Sequence, residues 1–336
     1  MARGENPVLV EVWRAGAVES RHRGAVVVMD TAGAAVLASG NGDAPVFPRS
    51  AVKPVQALAL LETGAATRFG VSEAELALAS SSHNGEDAHV DAVHAWLARM
   101  GLGDDALECG AHAPYLGAAD VALRAAGATP TRAHNNCSGK HAGMLAAALA
   151  MGADPRGYSQ ADHPVQRRVR DILSEMSGHD HARAEMGIDG CGIPTYAAPL
   201  ASLARAMAHL ADPRRLAPAR ADAVARIRRA IATHPHMVAG TGRFCTQIMA
   251  SAGEAILVKT GAEGVFAAAL PGRGLGIALK IDDGATRASE CAMASLLLHL
   301  APGVATDALG AYARKPLANW AGTRVGEVRA APGWPN

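Results

Sequence analysis

Ser50 and Lys53 lie three residues apart in FPRSAVKPVQALALL, just ahead of a run of good helix formers. On a helix that spacing puts a hydroxyl and an amine on one face, about 4.5 Å apart along the axis. On a surface such a pair is inert, and a serine at a helix start is by default an N-cap. In a buried cleft the amine loses solvation and its pKa falls. Lys53 can then take the proton of Ser50 while the helix N-terminus favours the developing alkoxide. Two further segments carry the same residue types. Ser82 and Asn84 form S-x-N in SSSHNGED, at the end of an apolar helical stretch, and Lys259, Thr260 and Gly261 form K-T-G at the end of EAILVK. Taken singly, these read as a helix-terminal turn and a strand exit.

The order S-x-x-K, S-x-N, K-T-G is similar to that of serine β-lactamases and penicillin-binding proteins. Cysteines supply a second cluster. Cys137 in NNCSGKHAGML and Cys191 in GIDGCGIPT have flanking glycines but neither C-x-x-C nor H-E-x-x-H spacing. Small buried thiols beside tight turns are the plainer reading. Two thiolates from two loops, with a third donor and an open position, would make a zinc site of the catalytic type. His179 and His181 are rival ligands, in polar surroundings that predict an exposed loop. The glycines of PGRGLG are wrongly spaced for a dinucleotide fingerprint, and a strand follows them.

These residues need a scaffold. VLVEVWR, GAVVVMD and AAVLASG read as a three-stranded meander broken by the polar turns SRHRG and TAG. Helical periodicity dominates from Ser50 to about residue 232. EAILVK, GVFAAAL and GLGIALKI then read as a second meander, and ATRASECAMASLLLHLAP as a closing helix. The expected fold class is α+β: an antiparallel sheet from N- and C-terminal strands (1–49 and 240–336) with an inserted, mainly helical domain (50–239).

A chain of 336 residues with 49% hydrophobic content buries a substantial core. A net charge of +1 and 4% aromatic residues argue against nucleic-acid binding. No apolar leader or membrane-length span is visible, so the expectation is a soluble, cytoplasmic protein without membrane association. The cysteines Cys109, Cys137, Cys191, Cys245 and Cys291 are odd in number and far apart, which favours free thiols or metal ligands over disulfides.

Over nearly its whole length the chain resembles the rhizobial-type L-asparaginases, the asparaginase II family. The resemblance rests on PRSAVKPVQAL, SSHNGEDAHV, NNCSGKHAGML, GIDGCGIPT, TGRFCTQIM, KTGAEGVFAAALP and GLGIALKIDDGA. It implies a serine β-lactamase and glutaminase-like fold, a homodimer, and L-asparagine as the small-molecule substrate. It puts the catalytic tandems on Ser50 with Lys53 and on Ser82 with Lys259, without deciding which lysine is the base. It implies zinc held by Cys137, Lys140 and Cys191, and by analogy an oxyanion hole at the backbone of Ser50 and Ala262. Arg49, Asn84, His141, Asp189, Gly261 and Ala262 are candidates for the substrate site. An acidic residue is usual in the family where Cys245 stands, which leaves that cysteine without an assigned role. Rival expectations are another serine amidohydrolase on the same scaffold, of glutaminase or β-lactamase type, and a non-catalytic zinc or amino-acid binding protein.

Overall fold

The structure, a computed structural model, describes residues 5–335. Strands Val8–Arg14, Ala17–Asp30 and Ala35–Ser39 follow one another through tight turns. The first turn has positive φ at both Ala15 and Gly16, the mirror-image geometry that matches strand twist. The polar run SRHRG, expected as a turn, is instead the middle of the strand Ala17–Asp30. That strand's first half pairs with Val8–Arg14. Its second half pairs with Leu275–Ile281 on one edge and Ala35–Ser39 on the other, so it must run unbroken. Arg21 and Arg23 project into solvent, while His22 is buried against Asp283 at 2.6 Å.

Strands Leu257–Thr260, Val265–Leu270 and Leu275–Ile281 are the second meander, in the expected places. Beyond the helix Thr286–Leu300, the helix Thr306–Ala313 and a hairpin of Arg314–Ala318 and Arg324–Ala330 had not been anticipated. Seven strands of the eight-stranded sheet run, edge to edge, Arg314–Ala318, Arg324–Ala330, Val8–Arg14, Ala17–Asp30, Leu275–Ile281, Val265–Leu270, Leu257–Thr260, and the eighth, Ala35–Ser39, pairs with Ala17–Asp30 off this path. The sheet's pairings are antiparallel. Both chain ends therefore build one sheet and the middle of the chain builds helices, which is the α+β class expected.

The helices follow local rules. Glu73–Ala79 starts with a Ser72 and Glu75 capping box. Pro164–Ser177 has proline in its first turn and ends on left-handed Gly178. Leu200–Ala211 falls within 50–239 yet packs on the sheet, as does Thr286–Leu300. Val265–Leu270 is buried at every residue, so both faces of that strand are covered. All five cysteines are buried and free. Among the described residues no helix is long and apolar enough to cross a membrane.

Candidate active site

Ser50 lies in a single helical turn, Arg49–Val52, that feeds the short helix Lys53–Gln56. Arg49 adopts φ of 49°, a left-handed conformation that is strained for a side-chain-bearing residue. The N-cap positions here are Pro48 and Val52, so the Ser50 hydroxyl is not spent capping a helix. Ser50 is half-buried, whereas Lys53, one turn on, is only 1% exposed. The sheet's edge strand Leu257–Thr260 abuts this turn. Gly261 makes the approach possible, because a Cβ there would lie 2.9 Å from the Pro48 carbonyl oxygen.

The Ser82 loop follows the helix Glu73–Ala79 and is clamped from two sides. The Ser82 N–H donates to Val238 O at 2.9 Å and the His83 N–H to Asn136 O at 3.1 Å. Ser82, His83 and Asn84 are all buried. Lys53 Nζ donates to Ser82 Oγ at 3.0 Å, to Cys137 Sγ at 3.1 Å and to the Ser81 carbonyl. Lys259 Nζ reaches the same Ser82 Oγ at 2.9 Å and the Thr260 carbonyl at 2.9 Å. The two lysines thus share one hydroxyl, that of Ser82. Among the described residues no side-chain hydrogen bond is seen for Ser50, so its expected direct pairing with Lys53 is absent from this geometry. Burial, and next the charge of Lys53, pull the Lys259 amine down from 10.5 to about 7.

Cys137 immediately precedes the helix Ser138–Ala150, whose first turn carries Lys140. Gly139 is required between them: a Cβ would stand 2.4 Å from Leu78 Cγ and from the Leu78 carbonyl oxygen, on the helix that leads to Ser82. Lys140 Nζ donates to Cys191 Sγ at 2.9 Å. The neighbouring Cys137 thiol and the Lys140 ammonium hold Cys191 down at about 4, while the Cys191 sulfur and burial push Cys137 up to about 12. The pair thus favours the thiolate on Cys191 over one on Cys137. Burial pulls the Lys140 amine down, but the two sulfurs outweigh it and the net shift is upward. The donor set suits zinc, since two thiols and an amine from two loops converge and a thiolate is already favoured, provided Lys140 gives up its proton on binding. Through Cys137 this cluster is continuous with Lys53, Ser82 and Lys259.

The remaining candidates fall around this network. Arg49 Nε and NH2 donate to Asp189 Oδ1 at 2.9 and 2.8 Å, so the two are partners. Burial pushes the Asp189 carboxyl up, but Lys140 and Arg49 outweigh it and leave it low. His141 Nδ1 meets Tyr158 Oη at 2.7 Å, and its buried Nε2 has no partner. Burial, then Lys140, depress His141 to about 3. Ala262 lies in the exposed turn after K-T-G, where Gly261 N–H is spent on Val265 O. Asn84 Nδ2 donates to Thr241 O, and its Oδ1 accepts from Arg243. Sequence reasoning passed over Arg243, since nothing in TGRFCTQIM marks it as facing Asn84. His181 is buried against His179 and Tyr196, not exposed as expected. A second set of metal-type donors, Glu86, His89 and His236, lies within 4.8 Å. The two imidazoles stack at 4.9 Å with planes 13° apart, so their in-plane lone pairs run side by side and do not converge, and Thr241 and Asn84 already engage Glu86.

Residues 10–330 match the family model described as L-asparaginase II, which makes the protein an amidohydrolase by class, with a small-molecule substrate. The chain belongs to the L-asparaginase II family. No curated protein sequence matches it significantly. Among solved structures it is similar to the native form of Mglu, at 15% identity and TM-score 0.45, covering 83% of this chain and 64% of that one. It is also similar to a β-lactamase from Mycobacterium bovis, at 15% identity and TM-score 0.41, covering 86% and 94%. Simvastatin synthase from Aspergillus terreus overlaps at 13% identity and TM-score 0.35, covering 77% and 86%.

Proposed function

We propose that the protein hydrolyses the side-chain amide of L-asparagine to aspartate and ammonia, with Ser50 as nucleophile. The observation that carries this reading is the single Ser82 hydroxyl held between the buried amines of Lys53 and Lys259, with Ser50 half-buried in the turn that leads into Lys53. Lys259 is the amine suited to being uncharged near neutral pH. Ser50 Oγ attacks the amide carbon and its proton passes, through the Ser82 hydroxyl, to the neutral amine of Lys259. The tetrahedral oxyanion is met by the backbone N–H groups of Ser50 and Ala262. Collapse breaks the C–N bond. Ser82, fed by Lys259, hands a proton to the leaving nitrogen and ammonia departs, leaving an aspartyl ester on Ser50. The same pair then takes a proton from water, whose hydroxide attacks the ester and frees aspartate, and that proton returns to Ser50 Oγ to restore its hydroxyl.

Cys137, Lys140 and Cys191 would hold zinc, which supplies a Lewis-acid contact that orients the amino-acid head group. Asp189 and Arg49 brace the side of the cleft next to these residues. The protein works as a homodimer in this reading. The test is ammonia release from L-asparagine, compared with L-glutamine and with hydrolysis of a chromogenic β-lactam. Preference for asparagine supports the reading, preference for glutamine or β-lactam reassigns the substrate, and binding without turnover of any of them overturns it.

A further inference from the structure

Arginines and lysines crowd this site, but they are not equally free to meet a ligand. Arg49, the arginine nearest Ser50 in the chain, is neutralised by Asp189 through two of its nitrogens. Arg243 is different. Its NH1 donates to Asn84 Oδ1 at 3.0 Å, a neutral acceptor, and among the described residues no carboxylate pairs with it. Glu290 is close enough for its charge to be felt, but burial pushes that carboxyl towards its neutral form and it makes no ion pair with Arg243. A guanidinium stays charged at any accessible pH. A half-buried cation with no anionic partner carries an uncompensated desolvation cost, and an anionic ligand would remove it.

The position of Arg243 is fixed by the same loops that fix Ser82. Val238 accepts from the Ser82 N–H at 2.9 Å. Thr241 is pinned to Glu86 through its N–H at 2.8 Å and its Oγ1 at 2.7 Å. The buried Phe244 and Cys245 follow directly as the helix Phe244–Ala252 begins. The guanidinium is therefore preorganised two residues from Ser82 by way of Asn84, and its charge reaches Lys259.

We propose that Arg243 receives the carboxylate of the amino-acid substrate and so determines specificity for amides that carry one. This rests on the amidohydrolase reading above. The experiment measures kcat and KM for wild type, R243K and R243Q on L-asparagine and on 3-aminopropanamide, which is asparagine without its carboxylate. The preference for asparagine should fall about 10- to 100-fold in R243Q, as expected for loss of a charge-assisted hydrogen bond. The loss should be carried by KM, with R243K recovering part of it. An unchanged preference ratio in R243Q, whether both substrates lose activity together or neither does, overturns the assignment and leaves the amidohydrolase reading intact. Wild type that releases ammonia from neither amide overturns both. Should R243Q fail to fold, as judged by circular dichroism, the ratio in R243K decides: a reduced preference supports the assignment and an unchanged one refutes it.

Discussion

Replacing Lys259 by Met should abolish turnover yet make the folded protein more stable at neutral pH, by an amount that shrinks and reverses as the solution becomes alkaline. Lys259 is 2% exposed, and burial followed by the Lys53 charge lowers its amine from 10.5 to about 7. Between those values the unfolded chain binds the proton and the folded chain does not, so the stability of the wild type rises with pH across that window. The penalty is full below about pH 7 and gone above about 10.5. At about 1.36 kcal/mol per pH unit, it is on the order of 4 kcal/mol at pH 7 and on the order of 1 kcal/mol near pH 9.5. Met carries none of this cost, but it forfeits the hydrogen bonds to Ser82 Oγ and Thr260 O, about 1 kcal/mol each. The variant should thus be about 2 kcal/mol more stable at pH 7 and no more stable than wild type near pH 9.5. Urea unfolding followed by circular dichroism at both pH values measures the difference. A gap that does not change with pH would refute the depressed amine, and with it the claim that Lys259 can act as a base.

Further expectations follow from the same geometry. Because the neutral Lys259 amine is the active form, kcat/KM should climb as pH rises towards about 7 and level off above it, and a flat profile from pH 5.5 to 8.5 would count against this role. Removal of zinc by a chelator, or C191A, should raise KM several-fold while changing kcat less; equal loss in both would show that the Cys137, Lys140 and Cys191 cluster does more than orient substrate. G139A should cost about 1–3 kcal/mol, since its methyl would press on the Leu78 backbone, and thermal melts should show it.

The sheet was legible in the chain because its central strands are short apolar runs, β-branched in GAVVVMD, bounded by turn residues such as TGAE and PGR. The errors have local causes. Ser20–Gly24 carries charged residues on a half-exposed strand, and polar clusters of that kind look like a turn. Arg314–Ala318 is an edge strand with Pro316 and two cations, the composition that keeps edges from pairing and hides them from pattern reading. In the site, spacing named the separate residues but not who meets whom. That two lysines share Ser82, or that Lys53 touches Cys137, depends on loops brought together across 177 and 84 residues. Arg243 left no signal because its significance lies in the carboxylate it lacks, which only packing reveals.

The central claim is that Ser50 is the residue acylated. Wild-type protein mixed with L-asparagine, quenched in acid during turnover and digested should yield an aspartyl ester on the peptide that contains Ser50, and S50A should release no ammonia above background. An ester on the Ser82 peptide, or undiminished ammonia release by S50A, would contradict the account.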